Sequence, residues 1–457
     1  MHLTILTDDK GNPIAKDAPI PLYEPPIFQD VHQVERSVVI IGAGPAGLFA
    51  ALTLLEHGIK PIIYERGKDV SERKKDIALL NRNEGLNEES NYCFGEGGAG
   101  TFSDGKLFSR SKKRGNMQRV MELFHYFGAP DTVLYEAHAH IGSDKLPSII
   151  KRMRECILEH GGEIHFGCRV DSLRDFRFEI SDLRFKTPVI LAIGHSAHDT
   201  YRMLAEEGVK LETKGFAMGV RIEHPQALIN KLFYHNASTE YVGNAAYSLV
   251  TQVDGRGVYS FCMCPGGHIV PAGSSAGSCV VNGMSASHRN SPYANSGMVV
   301  QINPEDIEGD DPLRGLAYQE LLERLAYEHG KAPYIAPAQR MRDFVEGKES
   351  KSLPACSFLP GIVASRLDQW LPAHIGKRLQ QGFRDFDKKH PGFLTNDAVI
   401  VGVESRSSSA VRIPRDPETL QSVSTPGLYP CGEGAGYAGG ITSSALDGIN
   451  AALKIAE

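Results

Sequence analysis

The chain has 457 residues, of which 41% are hydrophobic and 23% are charged, and its formal net charge is −6 at pH 7. This length and composition predict a globular protein of two or three domains and exclude a wholly disordered chain. The acidic balance argues against a surface that binds nucleic acid through bulk positive charge, so we expect no nucleic-acid partner.

The start of the chain carries no secretory pattern. The run Met1-His-Leu-Thr-Ile-Leu6 reaches the charged Asp8-Asp-Lys10 before an apolar core of signal-peptide length forms, which favours a cytoplasmic location. The apolar stretch Val38 to Leu55 contains three glycines and a proline, so a buried strand and helix explain it better than a membrane span. We expect residues 1–36 to form a short N-terminal extension.

A glycine-rich turn joins the first apolar strand to a helix. The turn, Gly42-Ala-Gly-Pro-Ala-Gly47, follows Val38-Val-Ile-Ile41 and precedes a segment whose apolar residues have helical spacing. Gly42 permits the sharp turn, and Gly44 lets the backbone approach a pyrophosphate at the helix N-terminus, where unpaired N–H groups attract negative charge. The predicted cofactor contacts in this turn are Gly42, Gly44, Pro45, Ala46 and Gly47.

A second apolar strand, Pro61-Ile-Ile-Tyr-Glu65, ends in a carboxylate 23 positions after the first glycine. An acid at roughly ~20 positions binds the ribose hydroxyls of an adenosine and repels a 2′-phosphate. Glu65 therefore predicts FAD or NAD at this site rather than NADP. Arg66 is expected near the phosphates or the adenine.

The same glycine spacing occurs twice more, in different surroundings. Gly95-Glu-Gly-Gly-Ala-Gly100 has no apolar strand before it and no helix after it, so we expect a loop. The basic cluster Lys112-Lys-Arg114 that follows is interpreted as solvated. Gly434-Ala-Gly-Tyr-Ala-Gly439 opens a helix, but the chain ends before a second strand and acid, so this copy serves another purpose.

Further strands extend the predicted nucleotide-binding sheet. Glu163-Ile-His-Phe-Gly-Cys-Arg-Val170 follows a helix that opens at Ser143, and Pro188-Val-Ile-Leu-Ala-Ile-Gly194 is another buried strand. Between them, Arg177 to Lys186 alternates apolar and charged residues, which predicts a small antiparallel excursion. Ligands of such sheets lie at the carboxyl ends of the strands. The candidate cofactor contacts there are Val170, Ala192 and Gly194.

From about Gly215 to Asn396 the pattern changes to short alternating strands and loops rich in glycine, serine and asparagine. We expect this segment to be the substrate domain. The strand Asp397-Ala-Val-Ile-Val401 is then expected to return to the nucleotide-binding sheet. The predicted division is an extension at 1–36, an FAD-binding domain in two parts at 37–214 and 397–457, and a substrate domain at 215–396.

Eight cysteines in such a chain predict free thiols. No pair has the Cys-x-x-Cys or Cys-x₄-Cys spacing, which argues against disulfide-reductase chemistry at the first glycine motif. Cys262 and Cys264 share one face of an extended strand. A packed strand entering a Pro-Gly turn is the simpler interpretation, and a reactive role is the alternative. His138-Ala-His140 lacks a third ligand at motif spacing, so no metal site is expected.

The segment Gly427-Leu-Tyr-Pro-Cys-Gly-Glu433 points to FAD. A strand that brings Glu433 beside the first glycine turn lets the carboxylate bind a ribityl hydroxyl, and nicotinamide dinucleotides have no ribityl chain. The terminal helix then directs its N-terminus at the pyrimidine edge of the flavin, where negative charge collects on reduction. The predicted contacts in this region are Gly432, Glu433, Gly440, Ile441 and Thr442.

Several motifs together carry a family resemblance. They are Gly95-Glu-Gly-Gly-Ala-Gly-Thr-Phe-Ser-Asp-Gly-Lys106, His140-Ile-Gly-Ser-Asp-Lys-Leu146, Ala192-Ile-Gly-His-Ser-Ala197, Gly219-Val-Arg-Ile-Glu-His-Pro225, Cys262-Met-Cys-Pro-Gly-Gly267 and Glu404-Ser-Arg406. With them, the chain resembles the FAD-dependent oxidoreductases of the glutathione-reductase superfamily and, within it, a bacterial group of uncharacterised FAD-dependent dehydrogenases. The resemblance extends from about residue 38 to the C-terminus.

The resemblance implies an α/β fold with a Rossmann-type FAD-binding domain of the glutathione-reductase type. This domain is split around an α+β substrate domain with an antiparallel sheet. The extension before the first strand is too short for the additional domain of longer relatives. The resemblance also implies contacts to FAD from Gly97, Gly98, Ala99 and Thr101.

The catalytic candidates are weaker than the cofactor contacts. Lys106 either approaches the flavin or forms a surface ion pair with Asp104. Arg406 and Arg412 either bind an anionic substrate or the flavin phosphates, or Arg406 pairs with Glu404 or another nearby acid. Cys264 is a candidate for reaction with substrate. His195 and His198 either move protons near the flavin or bond to backbone.

These features predict an FAD-dependent oxidoreductase, a dehydrogenase or reductase, that transfers hydride through flavin N5 to or from a small-molecule substrate. NAD(P)H or another electron donor is expected to act at the flavin face. A flavoprotein of tRNA modification is one alternative, which the acidic charge argues against. A non-catalytic FAD-binding redox sensor is the other. The sequence does not indicate the oligomeric state.

Overall fold

The computed structural model describes residues 23–108, 115–136, 138–176, 187–235, 239, 242–331 and 333–457. The predicted N-terminal extension lies mostly outside these ranges. The basic cluster Lys112-Lys-Arg114 and the predicted antiparallel excursion Arg177 to Lys186 lie wholly outside the described residues.

Two kinds of element make up the described chain. The strands are β1 (Ser37–Ile41), β2 (Lys60–Glu65), β3 (Glu163–Phe166), β4 (Val189–Leu191), β5 (Glu212–Thr213), β6 (Phe216–Pro225), β7 (Val250–Val253), β8 (Arg256–Cys264), β9 (His268–Pro271), β10 (Val281–Met284), β11 (Tyr293–Ile302), β12 (Ala336–Arg340), β13 (Ile362–Ala364), β14 (Val399–Glu404), β15 (Val411–Arg412) and β16 (Leu428–Pro430). The helices are α1 (Pro45–Glu56), α2 (Val70–Asn81), α3 (Met117–Tyr126), α4 (Leu146–Glu159), α5 (His198–Glu206), α6 (Gln226–Tyr234), α7 (Arg314–His329), α8 (Met341–Glu346), α9 (Leu367–Trp370), α10 (Ala373–Lys389) and α11 (Ile441–Ala456).

A five-stranded parallel sheet with the order β16, β4, β1, β2, β3 joins the two ends of the chain. The strands β1, β4 and β16 are apolar and largely buried, as is usual for a parallel sheet covered on both faces, whereas the edge strand β3 is only partly buried. Helix α1 packs between this sheet and α11, and Ala46 to Leu55 are all buried. At the crossing, a Cβ on Gly448 would lie 2.0 Å from the carbonyl oxygen of Ala46, so only glycine lets the two helices approach this closely.

A seven-stranded sheet has the order β13, β12, β14, β6, β11, β8, β7. Its neighbouring strands are antiparallel except for the parallel pair of β12 and β13. The long strands β6 and β11 pair along their whole length and are buried, and α10 packs against the sheet. The prediction of a mixed α/β fold with a largely antiparallel second sheet is confirmed.

The placement of β14 corrects one prediction. The sequence predicts that Asp397 to Val401 returns to the nucleotide-binding sheet, but β14 lies between β12 and β6 in the seven-stranded sheet. The returning strand is β16, which pairs with β4. A short apolar strand has the same sequence pattern in either sheet. Which sheet it joins depends on strands from distant parts of the chain, and the local pattern does not show them. The chain therefore leaves the seven-stranded sheet after 404, not at 396.

In the part of the chain that the structure describes, each helix is either too short or too polar to span a lipid bilayer.

Candidate functional site

The first glycine turn presents the N-terminus of α1 at the carboxyl end of β1. No described side chain caps this helix, Pro45 occupies its first turn, and that turn contains no acidic residue. A Cβ on Gly47 would lie 1.9 Å from the carbonyl oxygen of Gly42, which explains the glycine there. Gly44 differs, because a Cβ on it would meet no described protein atom closer than 3.8 Å. An uncapped N-terminus beside an open glycine fits a phosphate group.

The second glycine segment packs directly on this turn. The N–H of Gly97 donates to the carbonyl of Ala43 at 2.8 Å, and a Cβ on Gly98 would lie 3.1 Å from the Cα of Gly44. Gly97 and Gly98 have φ angles of 80° and 63°, which favour glycine. The prediction of a loop over residues 95–100 is confirmed, with a short 3₁₀ turn at Gly98–Gly100. Gly97 and Gly98 therefore lie beside the first turn, and the contacts of Ala99 and Thr101 with FAD stay predictions.

Arg73 on α2 holds this loop, and sequence reasoning missed it. Its side chain is 0% exposed, and burial lowers its pKa to about 10, so the guanidinium stays charged at neutral pH. The guanidinium donates to the backbone carbonyls of Asn91, Tyr92, Gly95, Glu96 and Gly98 at 2.8–3.2 Å. An arginine on a polar helix gives no sequence signal of such a role, because most arginines of that kind are solvated.

Glu96 fixes the other side of the loop. Its buried carboxylate accepts the N–H of Val70, at the start of α2, at 2.7 Å and lies 3.3 Å from the guanidinium of Arg154. Burial raises the pKa of Glu96 from an ordinary 4.5 to about 7, although Val70 and Arg154 act in the opposite direction.

We expect Glu96→Gln to remove a pH dependence of stability. The folded protein keeps this proton up to about pH 7 whereas the unfolded chain releases it near 4.5, so the contribution of Glu96 is present below pH 4.5 and is lost as the pH rises through 7. The free energy of unfolding of the wild type relative to the variant should fall by about 3 kcal/mol between about pH 4 and pH 8. Urea unfolding across this range measures it, and a constant difference would contradict the assignment.

Glu65, predicted to bind the adenosine ribose, and Arg66, predicted near the phosphates or the adenine, both bond to protein groups. The carboxylate of Glu65 accepts backbone N–H groups of Ala43, Gly67 and Gly95 at 2.8–3.0 Å, which joins the two glycine segments. A carboxylate offers about four acceptor sites, so one stays available for a ribose hydroxyl. Arg66 pairs with two acids, Glu89 and Asp199, at 2.7 and 2.8 Å. The nucleotide contacts of both residues stay predictions.

The C-terminal motif reaches the same place. The N–H of Gly432 donates to Asp447, and a Cβ on Gly432 would lie 3.1 Å from the Cβ of Ala46. Gly440 precedes α11 without a side-chain cap, and a Cβ there would meet no described atom within 4 Å. The hydroxyl of Thr442 donates to the carbonyl of Leu107 at 2.8 Å. The two terminal motifs therefore meet, as the sequence predicted.

The end of β4 completes this edge of the sheet. A Cβ on Gly42 would lie 2.4 Å from the carbonyl oxygen of Ala192, which places the residues after β4 against the first turn. Gly194 has a φ of 68°. Val170 follows β3 and is partly buried, and its contact with adenine stays a prediction.

The two histidines after Gly194 bond to carboxylates, so the alternative of a backbone bond is wrong. The Nδ1 of His195 lies 2.8 Å from Glu433, and the Nδ1 of His198 lies 2.9 Å from Glu320. Burial raises the pKa of Glu433, but the hydrogen bond and charge of His195 lower it, and the net change is downward. Across the described residues, no group of three or more His, Cys, Asp or Glu side chains is arranged to hold a metal ion.

Lys106 and Cys264 meet in a buried charged cluster. The ammonium nitrogen of Lys106 lies 4.0 Å from the Cys264 sulfur and 3.4 Å from Asp104, and it donates to the carbonyl of Met263. The Asp104 side chain is only 2% exposed and also pairs with Arg289, so the expected ion pair forms with its carboxylate buried and its lysine partly exposed. Burial lowers the pKa of Lys106, but the cysteine sulfurs and Asp104 raise it more strongly.

Arg221 forms the centre of this cluster, and sequence reasoning did not identify it. Its fully buried guanidinium donates to Glu404 and to Asn295 at 2.8 Å and lies 3.6 Å from the sulfur of Cys264. Burial raises the pKa of Glu404 to about 7, and Arg221 opposes that change. The resemblance motif around Arg221 was the available signal.

Arg406 and Arg412 interact with different parts of the protein. Arg406 is buried and forms an ion pair with Glu323 on α7 at 2.8 Å, and it donates to Ser274 at 2.6 Å. The partner is therefore Glu323 rather than Glu404, and the occupied guanidinium argues against substrate binding by Arg406. Arg412 is exposed, with its guanidinium 5.6 Å from the ring centre of Tyr437.

Two family models match the chain, one described as an FAD binding domain over residues 35–91 and one as an FAD-dependent protein, C-terminal domain-like, over residues 215–407. An uncharacterized protein of Clostridium beijerinckii is 44% identical over 442 residues, which cover 94% of this chain and 83% of that protein. A thiamine thiazole synthase of Sulfolobus acidocaldarius is 58% identical over 33 residues, 7% of this chain and 12% of the synthase.

Similarity to solved structures is weaker. The crystal structure of an oxidoreductase from Methanosarcina mazei has a TM-score of 0.35 at 12% identity, over 91% of this chain and 99% of that chain. The structure of FqzB has a TM-score of 0.36 at 12% identity, over 94% of this chain and 80% of that chain. Scores this low carry no argument about the present chain.

The first match coincides with the elements β1, α1, β2 and α2, which build the first glycine turn. The cofactor is FAD. The matched FAD binding domain belongs to a different flavoprotein family from glutathione reductase, so the matches do not support that part of the resemblance. The chain belongs to a family of FAD-binding flavoproteins that includes the protein of Clostridium beijerinckii.

Proposed function

We propose that this protein is an FAD-dependent oxidoreductase that transfers hydride between FAD and a small-molecule substrate. One observation supports it above all: the glycine segments at 42–47, 95–100 and 432–440 converge at one edge of the parallel sheet, next to the N-terminus of α1. When bound, FAD supplies a flavin ring whose N5 atom accepts or donates hydride. The glutathione-reductase type of arrangement and a cytoplasmic location are part of the proposal.

In this proposal the chain binds and orients the cofactor with groups at fixed places. The uncapped N-terminus of α1 binds the pyrophosphate, and Glu65 binds the adenosine ribose. Glu433, whose pKa is lowered, is ionised at neutral pH and accepts a ribityl hydroxyl. The N-terminus of α11 stabilises negative charge at the pyrimidine edge of the flavin.

The cluster around Lys106 supplies the polar groups for the substrate side. Lys106 keeps its proton at neutral pH, because its net pKa change is upward. Its side chain is 38% exposed whereas Asp104 and Cys264 are buried, so Lys106 is the cluster's contact with a substrate. A cation at this position favours an anionic or carbonyl-bearing substrate. NADH, NADPH or another donor is expected to supply electrons.

We expect Gly44→Val to yield a folded protein with at least tenfold less bound FAD. Gly44 has an ordinary φ of −75° and room for a side chain, so the fold tolerates valine, but the added methyl groups occupy the place of the pyrophosphate. Absorbance near 450 nm per protein and the melting temperature without FAD measure the two effects. Full FAD occupancy in this variant would contradict the site.

The activity itself is tested by anaerobic mixing of the FAD-loaded protein with NADH or NADPH. Bleaching of the flavin band by either donor, followed by reoxidation with candidate substrates, supports an oxidoreductase. Bound flavin that no donor or substrate reduces or reoxidises would favour the redox sensor and contradict the proposal. Enrichment of tRNA with the purified protein would favour the tRNA-modification alternative. Lys106→Met should raise the KM for the substrate without removing FAD.

A further inference from the structure

A bulge in β8 brings two cysteines into an unusual arrangement. In the pairing of β8 with β11, Phe261 lies opposite Gly297 and Cys264 opposite Asn295, so Cys262 and Met263 face a single residue. Cys262 has a φ of 45°, in the left-handed region. A residue other than glycine keeps this conformation only where its surroundings enforce it, and such residues concentrate at functional sites. The bulge therefore differs from the regular packed strand that the sequence suggested.

The thiol of Cys264 donates a hydrogen bond to the backbone carbonyl of Cys262 at 3.4 Å. The two side chains also interact, and each changes the pKa of the other. In a regular strand, residues two apart have Cα atoms about 6.6–6.8 Å apart, at the upper end of what a disulfide spans. A bulge bends the strand and changes this spacing. Cys264 is 0% exposed whereas Cys262 is partly exposed, so the two sulfurs differ in access to solvent.

Two cations face this pair of thiols. The Cys264 sulfur lies 3.6 Å from the guanidinium of Arg221 and 4.0 Å from the ammonium of Lys106. The hydrogen bond from Cys264 lowers the pKa of Cys262 well below its usual range, with Lys106 and Arg221 adding to this effect and burial and Asp104 opposing it. The same hydrogen bond and burial raise the pKa of Cys264. The thiol with the lowered pKa, Cys262, is thus also the more accessible of the two.

The pair also lies near the proposed flavin site. Lys106 contacts Cys264, and the next residue, Leu107, accepts a hydrogen bond from Thr442 in the first turn of α11. The cluster therefore connects β8 to the helix whose N-terminus is assigned to the flavin. If the two cysteines only packed in the core, they would need neither the nearby Lys106 and Arg221 nor the left-handed backbone of Cys262.

We propose that Cys262 and Cys264 form a redox-active dithiol that exchanges with small disulfides, a second two-electron centre in addition to the flavin. The Cys262 thiolate attacks one sulfur of the disulfide, forms a mixed disulfide and releases one thiolate. Cys264 then loses its proton and attacks the Cys262 sulfur, which closes the Cys262–Cys264 bond and releases the second thiol. Two electrons pass from the dithiol to the small disulfide, which becomes two thiols.

Mass spectrometry of the purified FAD-loaded protein tests the closing of the pair. The protein is equilibrated with mixtures of reduced and oxidised glutathione, quenched in acid, unfolded and labelled with N-ethylmaleimide. We expect both cysteines to take label in reduced glutathione, and more than half of the protein to carry neither label on this pair in oxidised glutathione, with a mass two hydrogens lower. Full labelling of both cysteines in every mixture would overturn the proposal.

Two single variants then separate a redox role from a packing role. Cys264→Ser should accumulate a mixed disulfide with glutathione at Cys262 at least tenfold above the wild type, because the resolving thiol is gone. Cys262→Ser should accumulate little, since Cys264 is buried. Cys279→Ser changes a buried cysteine whose backbone N–H bonds to the carbonyl of Glu323, and it is the control that should close the pair as the wild type does. Equal, low accumulation in both variants indicates packing only and overturns the proposal.

Labelling of the native, reduced protein by iodoacetamide at two pH values gives an independent readout. Between pH 8.5 and 6.5 an unperturbed thiol slows about fifty-fold, and we expect Cys262 to slow less than about threefold. The exposed Cys168 is an internal reference for reagent access. A fifty-fold decrease at Cys262 would contradict the lowered pKa of its thiol. All three readouts are masses rather than turnover, so they stand whether or not the proposed hydride transfer is correct.

Discussion

Arg73→Met is expected to lose bound FAD and at least about 4 kcal/mol of stability. The variant leaves five loop carbonyls without their donor in a buried place, and each hydrogen bond from a charged donor contributes about 1.5–3 kcal/mol. Through these carbonyls Arg73 holds the loop that contains Gly97 and Gly98, and both glycines pack on the first glycine turn. Without the guanidinium, the loop no longer keeps the backbone arrangement next to the pyrophosphate site.

Thermal unfolding and FAD content per protein measure this prediction. Lys74→Met is the matched control, because Lys74 is exposed on the same helix and should change stability by less than about 0.5 kcal/mol. Arg73→Lys should recover only part of the loss, since one ammonium group lacks the planar fork that reaches several carbonyls at once. Arg73→Met with full FAD content and an unchanged melting temperature would show that the loop does not depend on this residue.

The second large effect is expected for the buried ion pair of Arg221 and Glu404. Both side chains are at most 1% exposed and their charged atoms lie 2.8 Å apart. Arg221→Met should lower the free energy of unfolding by about 3–5 kcal/mol, because it leaves the buried carboxyl group of Glu404 without its charged partner. The double variant R221M/E404M should recover most of that loss, since removing both charges removes the cost of burying one alone.

Urea unfolding of the two single variants and the double variant measures the coupling. Arg256→Met, on β8 of the same sheet, is the control. Its partner Asp306 is near the surface, and loss of such a pair costs at most about 1 kcal/mol. If the double variant is as unstable as Arg221→Met, the loss arises from packing around the guanidinium rather than from the unpaired charge. Arg221→Met should also diminish the thiolate character of Cys262, read by iodoacetamide labelling at pH 6.5.

The sequence by itself determined the parts of the site that depend on local backbone chemistry. The first glycine turn, the acid that ends β2, the loop at 95–100 and the start of α11 were all predicted in place. Turns that need glycine and helices with a periodic apolar stripe are encoded over a few neighbouring residues. The convergence of the two ends was also predictable, because consecutive parallel strands present their carboxyl ends at one edge.

Only the tertiary structure decided which distant groups pair. Arg406 meets Glu323 across 83 positions, Lys106 meets Cys264 across 158, and β14 joins the seven-stranded sheet instead of the parallel one. The carbonyls that Arg73 binds and the bulge at Cys262 are likewise absent from any local pattern. These pairings depend on which parts of the chain pack together and exclude water. Burial and the neighbouring groups together then change the pKa of an ion pair or a thiol.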